Sequence, residues 1–350
     1  MKKAIKLAIS VGDTNGIGLE IALKTFKDKR MFDFCTPVVF AEHHLVHLLN
    51  RKIGLDEHSF KTISSLAEVK TKKINVINCW KQKITPQFGQ STKEGGELAL
   101  LSLRSANKAL KNKEVDALVT APINKNNIQS DDFNFPGHTD FLDHQHHGKA
   151  LMLMLSDQLR LGVVTGHMPL EKVASIIDAN LILEKLGIFH QSLKQDFGIR
   201  RPKIAVLGLN PHAGDNGLIG KEEQDTIEPS IQKAIDLNIL AFGPYSADSF
   251  FNSNKLKAFD GILAMYHDQG LIPFKTLSFG NGVNFTAGLD VVRTSPDHGT
   301  AYDIAGQNIA HESSFRQAIY ACCDIVKKRQ EWSKLNSNPL PKHEITRHQQ

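Results

Sequence analysis

The 350-residue sequence contains 41% hydrophobic and 23% charged residues and has a formal net charge of +5. This composition indicates a folded protein with two domains or one large α/β unit. It excludes a chain that is disordered over its whole length. Basic residues are scattered, which argues against a nucleic-acid partner, and no apolar run approaches the ~20 residues of a membrane span. The four cysteines lack C-x-x-C spacing, which predicts a reducing, cytoplasmic location.

Short apolar runs alternate with amphipathic segments in the first part of the chain. The predicted strands cover residues 5–11, 37–41, 74–79 and 117–120, and the predicted helices cover 17–27, 42–49 and 94–111. The first apolar run contains Lys6 and leads straight into Gly12, so it is interpreted as a buried strand and not as a signal peptide. This order is typical of a parallel sheet covered by helices on both faces.

The alternation starts again after Pro136 and Gly137. Here the predicted strands cover 150–155, 159–165, 203–209, 261–265 and 282–292, and the predicted helices cover 170–177, 181–197, 221–237 and 313–331. We predict two α/β domains, one of residues 1–135 with 300–334 and one of residues 136–299. The polar residues 335–350 are predicted to be a disordered tail.

Three histidines follow predicted buried strands of the second half: His167, His212 and His267. Ligands of open α/β sheets bind at the carboxyl ends of the strands. Three imidazoles at such ends could form a metal site with open positions for water or substrate. The alternative is that each is a hydrogen-bonded turn residue.

The other histidine groups have weaker contexts. The histidines at 144–147 are flanked by polar residues and are interpreted as a solvated face, and those at 43–47 as the surface of a helix. His138 differs because it follows Gly137 and precedes Thr139. A Gly-His-Thr turn can offer an imidazole, a hydroxyl and a backbone N–H to an anion.

A Gly-rich segment, GDTNGIG at 12–18, follows the first strand and opens a helix. It is similar to a phosphate or dinucleotide loop, but it has neither the G-x-G-x-x-G spacing nor the G-K-[ST] ending of a P-loop. A tight strand-to-helix turn explains it equally well.

Polar and basic residues gather after the third histidine. Lys275 and Arg293 can bind phosphate or carboxylate groups, the lysine as a point charge and the arginine as a fork. Asn284 can donate and accept hydrogen bonds. The run HGTAYDIAG at 298–306 allows the backbone to approach a cofactor closely.

These motifs, in this order, resemble the 4-hydroxythreonine-4-phosphate dehydrogenase family over residues 5–330. The most specific blocks are NPHAG at 210–214 and MYHDQG at 265–270, and GHT at 137–139, GHMPL at 166–170 and DHGTA at 297–301 accompany them. The common family opening is GDPAGIGPE. Here Thr14, Asn15 and Leu19 replace its proline, alanine and second proline. The resemblance therefore does not predict which residues of this turn contact the substrate.

The resemblance implies a two-domain α/β/α fold like that of isocitrate and isopropylmalate dehydrogenases, with the active-site cleft between the domains. It also implies a homodimer with the active site at the subunit interface, where His167, His212 and His267 bind a divalent metal shared across that interface. Zinc is the first choice, with magnesium or cobalt as alternatives. The implied substrate contacts are His138, Thr139, Lys275, Asn284 and Arg293. The implied cofactor-binding residues are His298, Gly299, Thr300, Asp303 and Gly306.

The implied reaction is oxidation of 4-phosphohydroxy-L-threonine by NAD, with NADP as an alternative, to 2-amino-3-oxo-4-phosphooxybutanoate. That product decarboxylates to 3-amino-2-oxopropyl phosphate in pyridoxal 5'-phosphate synthesis. The proton acceptor is His138, Lys275, or Asp268 acting through water. The alternative functions are a dehydrogenase of 4-phosphothreonate or 4-phosphoerythronate, a tri-histidine metal-dependent hydrolase, and a non-enzymatic sensor of a phosphorylated ligand.

Overall fold

The computed structural model describes residues 4–252 and 254–338. None of the helices within these ranges combines the length and the apolar character that crossing a membrane requires.

The strands of the described ranges join one twelve-stranded sheet with the order β3-β4-β2-β1-β5-β12-β11-β6-β7-β10-β8-β9. In chain order they are β1 (Ile5–Ser10), β2 (Cys35–Phe40), β3 (Phe60–Ile63), β4 (Ile74–Ile77), β5 (Ala117–Thr120), β6 (Gly148–Leu155), β7 (Arg160–Thr165), β8 (Lys203–Leu207), β9 (Leu240–Tyr245), β10 (Gly261–Tyr266), β11 (Val283–Leu289) and β12 (Arg293–Pro296).

Helices cover the sheet and connect its strands. In chain order the α-helices are α1 (Gly18–Thr25), α2 (His43–Ile53), α3 (Lys93–Lys111), α4 (His138–Gln145), α5 (Val173–Ile176), α6 (Ala179–Gln195), α7 (Glu228–Asp236), α8 (Ala247–Phe250), α9 (His267–Ser278) and α10 (Ser313–Asn336).

Continuous apolar runs form the parallel part of the sheet. Every residue of β2 and of β5 is buried, and β1 pairs with both strands in parallel. Strands covered on both faces need apolar side chains on both faces, which explains why these segments lack the polar–apolar alternation of a half-exposed strand. The predicted βα order of the first half is confirmed.

The sheet changes direction at its centre. β11 pairs antiparallel with β12 and with β6, and β6 pairs antiparallel with β7. Parallel pairing then resumes from β7 through β10 and β8 to β9. The sheet is therefore continuous across the predicted domain boundary, and β12 pairs with β5 although the sequence prediction assigned residue 293 to the second domain. The division into two domains stays a prediction.

The last helix spans the two halves of the chain. α10 packs on β12, β5 and α1, and the Nε of Arg329 lies 2.6 Å from the Oδ1 of the fully buried Asp196, just after α6. The predicted disordered tail was wrong at its start, because α10 continues to Asn336. The rest of that prediction, from residue 339 onward, lies outside the described residues.

Several local predictions were also wrong. β3 and β9 were not predicted, since β3 is only partly buried and β9 contains a Gly-Pro pair. α9 was not predicted because it contains Gly270 and Pro273, which are poor helix formers. The histidines at 144–147 are not all solvated: the side chain of His146 is 3% exposed, and its Nε2 lies 2.6 Å from the Oδ1 of Asn107.

Candidate active site

A cavity of about 400 Å³ lies over the central antiparallel strands, next to the carboxyl ends of β5, β7 and β10. β6 contributes Met152 and Met154 to its wall, β11 contributes Asn284, and β12 contributes Arg293. His138 and Thr139, at the amino end of α4, line another side of the cavity. Of the predicted site residues, the cavity brings together His138, Thr139, His167, His267, Lys275, Asn284, Arg293, His298 and Gly299.

Sheet register places two of the three strand-end histidines side by side. Tyr266 of β10 pairs with Thr165 of β7, so the residues that follow these strands leave the sheet together. The rings of His167 and His267 have their centroids 5.2 Å apart. Two imidazoles at this separation, both lining the cavity, can supply two nitrogen ligands to one metal ion.

Neighbouring side chains orient both rings. The Nδ1 of His267 lies 2.7 Å from the Oδ1 of Asp268, an arrangement that holds the proton on Nδ1 and leaves the Nε2 lone pair free for a metal. The Nε2 of His167 accepts a hydrogen bond from the Nζ of Lys125 at 3.2 Å, so a cation already lies against this lone pair. Burial, then Lys125 and His267, lower the pKa of His167, which keeps it in the neutral form that binds metals.

His212 lies apart from this pair. It is exposed, it does not line the cavity, and it belongs to a turn after β8 in which residues 212–216 all have positive φ. Such a left-handed run is costly for residues other than glycine. The turn is anchored because the Oε1 of Glu223 accepts the backbone N–H groups of Leu209 and Asn210 at 2.7 and 2.8 Å. One chain therefore assembles two of the three predicted imidazoles.

Arg293 is a buried cation at the floor of the cavity. It is 2% exposed, and its guanidinium donates to the hydroxyls of Thr120 and Thr286. No carboxylate of the described ranges forms an ion pair with it, and burial lowers its pKa to about 9. It remains charged at neutral pH, so an anionic ligand in the cavity would supply the negative charge that no described carboxylate provides.

Within residues 4–252 and 254–338, three buried polar atoms of the cavity wall have no hydrogen-bond partner. They are the Nε2 of His138, the Oδ1 of Asn284 and the Nε2 of His298. Burial, followed by Arg293 and Lys125, lowers the pKa of His138 well below its ordinary value. Because buried polar groups in proteins are normally paired, these three atoms indicate where a polar ligand binds.

The charge of the cavity wall favours an anion. Lys125, Lys275 and Arg293 face two carboxylates, Asp140 and Asp297, and burial raises the pKa of Asp297 against the opposing effects of Lys275 and His298. The three cations therefore outnumber the two carboxylates at the cavity wall.

The predicted cofactor run lies against the Gly-rich opening turn. The carbonyl of Thr300 accepts the N–H of Ile17 at 3.0 Å, and the hydroxyl of Tyr302 donates to the Oδ2 of Asp13 at 2.7 Å. Gly306 has φ +76 and lies so close to the Phe88 ring that a Cβ there would clash. Only His298 and Gly299 of the run also line the cavity, while Asp303 is exposed.

The comparisons with known proteins decide the family. Residues 33–322 match the family model of the pyridoxal phosphate biosynthetic protein PdxA. This chain belongs to the PdxA family. A 4-hydroxythreonine-4-phosphate dehydrogenase from Bacteroides thetaiotaomicron is 46% identical over 340 residues, which cover 97% of this chain and 93% of that relative.

The structural comparison agrees. The crystal structure of 4-hydroxythreonine-4-phosphate dehydrogenase from Klebsiella pneumoniae is similar with a TM-score of 0.78 and 31% identity, covering 92% of this chain and 98% of that one. A protein from Oceanobacillus iheyensis, named as a candidate D-threonate 4-phosphate dehydrogenase, is 34% identical over 93% of this chain and 99% of its own length. The PdxA-family chain is a dehydrogenase, and the predicted family and α/β fold class are confirmed.

Sequence reasoning missed Lys125, and it quoted Asp297 only as part of the DHGTA motif, without a role. Lys125 follows Pro122 just after β5, and strand β5 ends at the cavity. The rule that ligands bind at the carboxyl ends of parallel strands would have found it if applied to β5 as it was to the three histidines. Asp268, a predicted catalytic candidate, does not line the cavity but contacts His267.

The residues that depart from the common family opening keep the turn ordered. Asn15 donates from its Nδ2 to the Oγ1 of Thr92 at 2.8 Å and to the carbonyl of Gln90 at 3.1 Å. Its Oδ1 accepts the N–H of Gln87 at 2.8 Å. The substituted turn is thus tied to the start of α3 in this PdxA-family chain.

Proposed function

We propose that the protein oxidises 4-phosphohydroxy-L-threonine with NAD to 2-amino-3-oxo-4-phosphooxybutanoate, which decarboxylates to 3-amino-2-oxopropyl phosphate in pyridoxal 5'-phosphate synthesis. The observation that carries this proposal is the buried Arg293, which has no carboxylate partner in the described part of the chain. It lies at a cavity lined by two neighbouring imidazoles and by three polar atoms that also lack a partner there. A small substrate with an anionic end and several hydroxyl or amino groups meets all of these requirements.

The cationic side supports binding of the phosphate or the carboxylate. Arg293 offers a planar fork and Lys275 a point charge, and Lys125 adds a third cation at the same wall. The hydroxyl of Thr139 and the amide of Asn284 would form hydrogen bonds, as donors or acceptors, with the remaining polar groups of the substrate. These contacts would fix the secondary alcohol toward the histidine pair.

The histidine pair fits a divalent metal, with zinc preferred and cobalt or magnesium as alternatives. His267 would bind it through Nε2, and Asp268 would keep that ring in the correct tautomer. His167 would bind it in place of the contact that its Nε2 makes with Lys125. When bound, such an ion supplies a Lewis acid that lowers the pKa of an alcohol and so favours its oxidation. The third ligand in this proposal is His212 from a second copy of the chain, since His212 is exposed and does not line the cavity of its own chain.

His138 is the proposed proton acceptor. Its imidazole is neutral because burial lowers its pKa, and its buried Nε2 has no hydrogen-bond partner among the described residues. A phosphorylated substrate would partly offset the fields of Arg293 and Lys125 and raise that pKa toward the working range of a general base. Lys275 is exposed, and Asp268 is engaged with His267, so both are weaker choices.

The cofactor would lie along the run at 298–306, where it meets the Gly-rich turn. Asp13 and Tyr302 hold the two segments together, and Gly306 allows Phe88 to pack on the run. Bound NAD, or NADP as the alternative, would accept the hydride. His298 and Gly299 border both regions, so they would meet the end of the cofactor nearest the substrate.

The second candidate is oxidation of 4-phosphothreonate or 4-phosphoerythronate. It is favoured by one observation, the 34% identity to a relative named for D-threonate 4-phosphate. These sugar acids need the same phosphate and metal contacts and differ at the substrate amine. The hydrolase and sensor alternatives are set aside, because the family is one of dehydrogenases.

The test is NADH formation, followed by absorbance, with each phosphorylated substrate in the presence and absence of a chelator. We expect chelator-sensitive NADH from 4-phosphohydroxy-L-threonine. NADH formation with the sugar acids alone would overturn the proposed substrate but would leave the proposed reaction class unchanged. Absence of NADH with all substrates from metal-loaded protein would overturn the proposal.

A further inference from the structure

A second group of potential metal ligands lies at the amino end of α2. Glu42, His43 and His44 each offer one ligand atom, and these atoms all lie within 4.8 Å of one another. Zinc holds nitrogen and oxygen ligands at about 2.0–2.2 Å, so two tetrahedral ligands are roughly 3.3 Å apart. Small side-chain rotations would therefore close this group around one ion.

Glu42 is fixed before any ion binds. It is 2% exposed, and its two oxygens accept the backbone N–H groups of His44 and Leu45 at 3.0 and 3.1 Å as the cap of α2. The same Oε1 lies 3.1 Å from the Nδ1 of His43. A buried carboxylate that already touches an imidazole gives the group one anionic, rigid member, which lowers the entropy lost on binding.

The two imidazoles are also held close. The ring centroids of His43 and His44 are 3.9 Å apart, a separation at which two protonated rings would repel each other. The backbone N–H of His43 donates to the Oδ1 of Asn78 at 2.9 Å, which ties this end of α2 to the segment after β4.

A third imidazole lies one helical turn further on. His47 is four residues after His43, so both lie on one face of α2, and their ring centroids are 6.5 Å apart. The His47 ring now faces Phe60, with centroids 6.1 Å apart. A rotation of its side chain toward His43 would supply a fourth ligand.

We propose that Glu42, His43, His44 and His47 form a second metal site for an imidazole-preferring divalent ion such as zinc, nickel or copper(II). The site is separate from the candidate active site, since none of these residues lines that cavity and β1 separates β2 from β5. The carboxylate of Glu42 supplies one negative charge to the group, and Lys83 is a nearby cation that acts on His44. A bound ion would stabilise the contact between the amino end of α2 and the segment that follows β4.

The experiment counts metal equivalents in tag-free protein stripped with a chelator and dialysed against zinc alone. The parent carries His212→Ala, so that loss of the proposed active-site metal and loss of the second metal are read separately. We expect His43→Ala/His44→Ala in this parent to bind one zinc per chain fewer, with an unchanged circular-dichroism spectrum. His144→Ala/His147→Ala removes two exposed histidines outside the group and should keep the parental count.

Copper(II) gives a second readout. Its electron paramagnetic resonance spectrum in the His212→Ala parent should show coupling to imidazole nitrogen, and the His43→Ala/His44→Ala variant should lose that signal. An equal zinc count and an unchanged copper spectrum in this variant would overturn the second site. Because both readouts are taken without substrate, failure of the proposed oxidation does not affect them.

Discussion

The two histidine groups of this protein are built in opposite ways. Glu42, His43 and His44 are consecutive in the chain, and one helix sets their spacing. His167 and His267 are 100 residues apart, and their 5.2 Å separation depends on the pairing of Thr165 with Tyr266 across two strands. Both groups place a carboxylate beside the Nδ1 of one imidazole, Glu42 in the first and Asp268 in the second.

The difference lies in what surrounds the ligands. The strand-end pair opens into a cavity that contains the buried Arg293, which forms no ion pair with any described carboxylate, whereas the helix group faces the surface. Catalysis needs a ligand set that leaves room for substrate and excludes bulk water. A group that converges from separate strands can enclose such a space, and a group on one helical turn cannot.

The largest expected effect is on the proposed metal site, which His167 and His267 of one chain would share with His212 of a second copy. His167→Ala and His212→Ala should each abolish NADH formation while the circular-dichroism spectrum is kept. If one site uses His167 of one subunit and His212 of the other, a mixed dimer of the two variants has one intact site. Refolded equimolar mixtures should then recover about one quarter of wild-type activity, since half of randomly formed dimers are mixed.

Two controls accompany this experiment. His43→Ala should keep full activity, because the helix group plays no part in the reaction. A mixture of His167→Ala and His267→Ala should stay inactive, since both residues lie on the same side of the proposed shared site. Recovery in that second mixture, or none in the first, would contradict the shared arrangement.

The next effect concerns the buried cation that distinguishes the active cavity. Arg293→Lys keeps the charge but loses the fork, and charged hydrogen bonds contribute roughly 1.5–3 kcal/mol each. We expect kcat/KM for the phosphorylated substrate to fall about 10- to 100-fold. Steady-state kinetics measures it, with Arg30→Lys as the control, since Arg30 is 86% exposed. An unchanged kcat/KM would remove Arg293 from the phosphate site.

The orienting carboxylate should have a smaller effect. Asp268→Asn replaces the carboxylate that holds the Nδ1 proton of His267 by a neutral amide, which is a weaker acceptor and can also present its NH₂ group to the ring. Mutation of such a partner typically weakens metal binding about 10- to 100-fold. Competition with a chelator of known affinity measures this change. Asp324→Asn, at a 70% exposed position, is the matched control. Equal affinities would show that Asp268 is not needed to orient the ring.

The smallest effect is on stability as a function of pH. Burial, then Arg293 and Lys125, lower the pKa of His138 well below 6.5. Below pH 6.5 the unfolded chain takes up a proton there and the folded chain does not, so stability falls as pH falls. Each bound proton changes the free energy of unfolding by about 1.4 kcal/mol per pH unit.

Urea unfolding between about pH 5 and 7 should therefore show a shallower slope in His138→Gln than in the wild type, by up to one proton. His144→Gln changes an exposed ring and should leave the slope as it is. The comparison uses slopes, so a general loss of stability in either variant does not affect it. A wild-type slope in His138→Gln would mean that His138 is protonated in the folded protein.

The sequence by itself determined the α/β class, the family and most residues of the candidate site. Continuous apolar runs such as β5 specify buried parallel strands through local hydrophobicity, and short motifs such as MYHDQG keep their spacing because a strand and its following turn are local structures. His138, Arg293 and Asn284 were found in this way, and each lies at the cavity.

Only the tertiary structure decided which histidines meet. His146 was expected to be solvated and is buried beside Asn107, and Lys125 was not selected although it contacts His167. His212 follows a strand as His267 does, yet it lies in the left-handed turn after β8 and does not line the cavity. Distances between residues far apart in the chain depend on strand register and loop conformation, and neither is encoded in the local pattern.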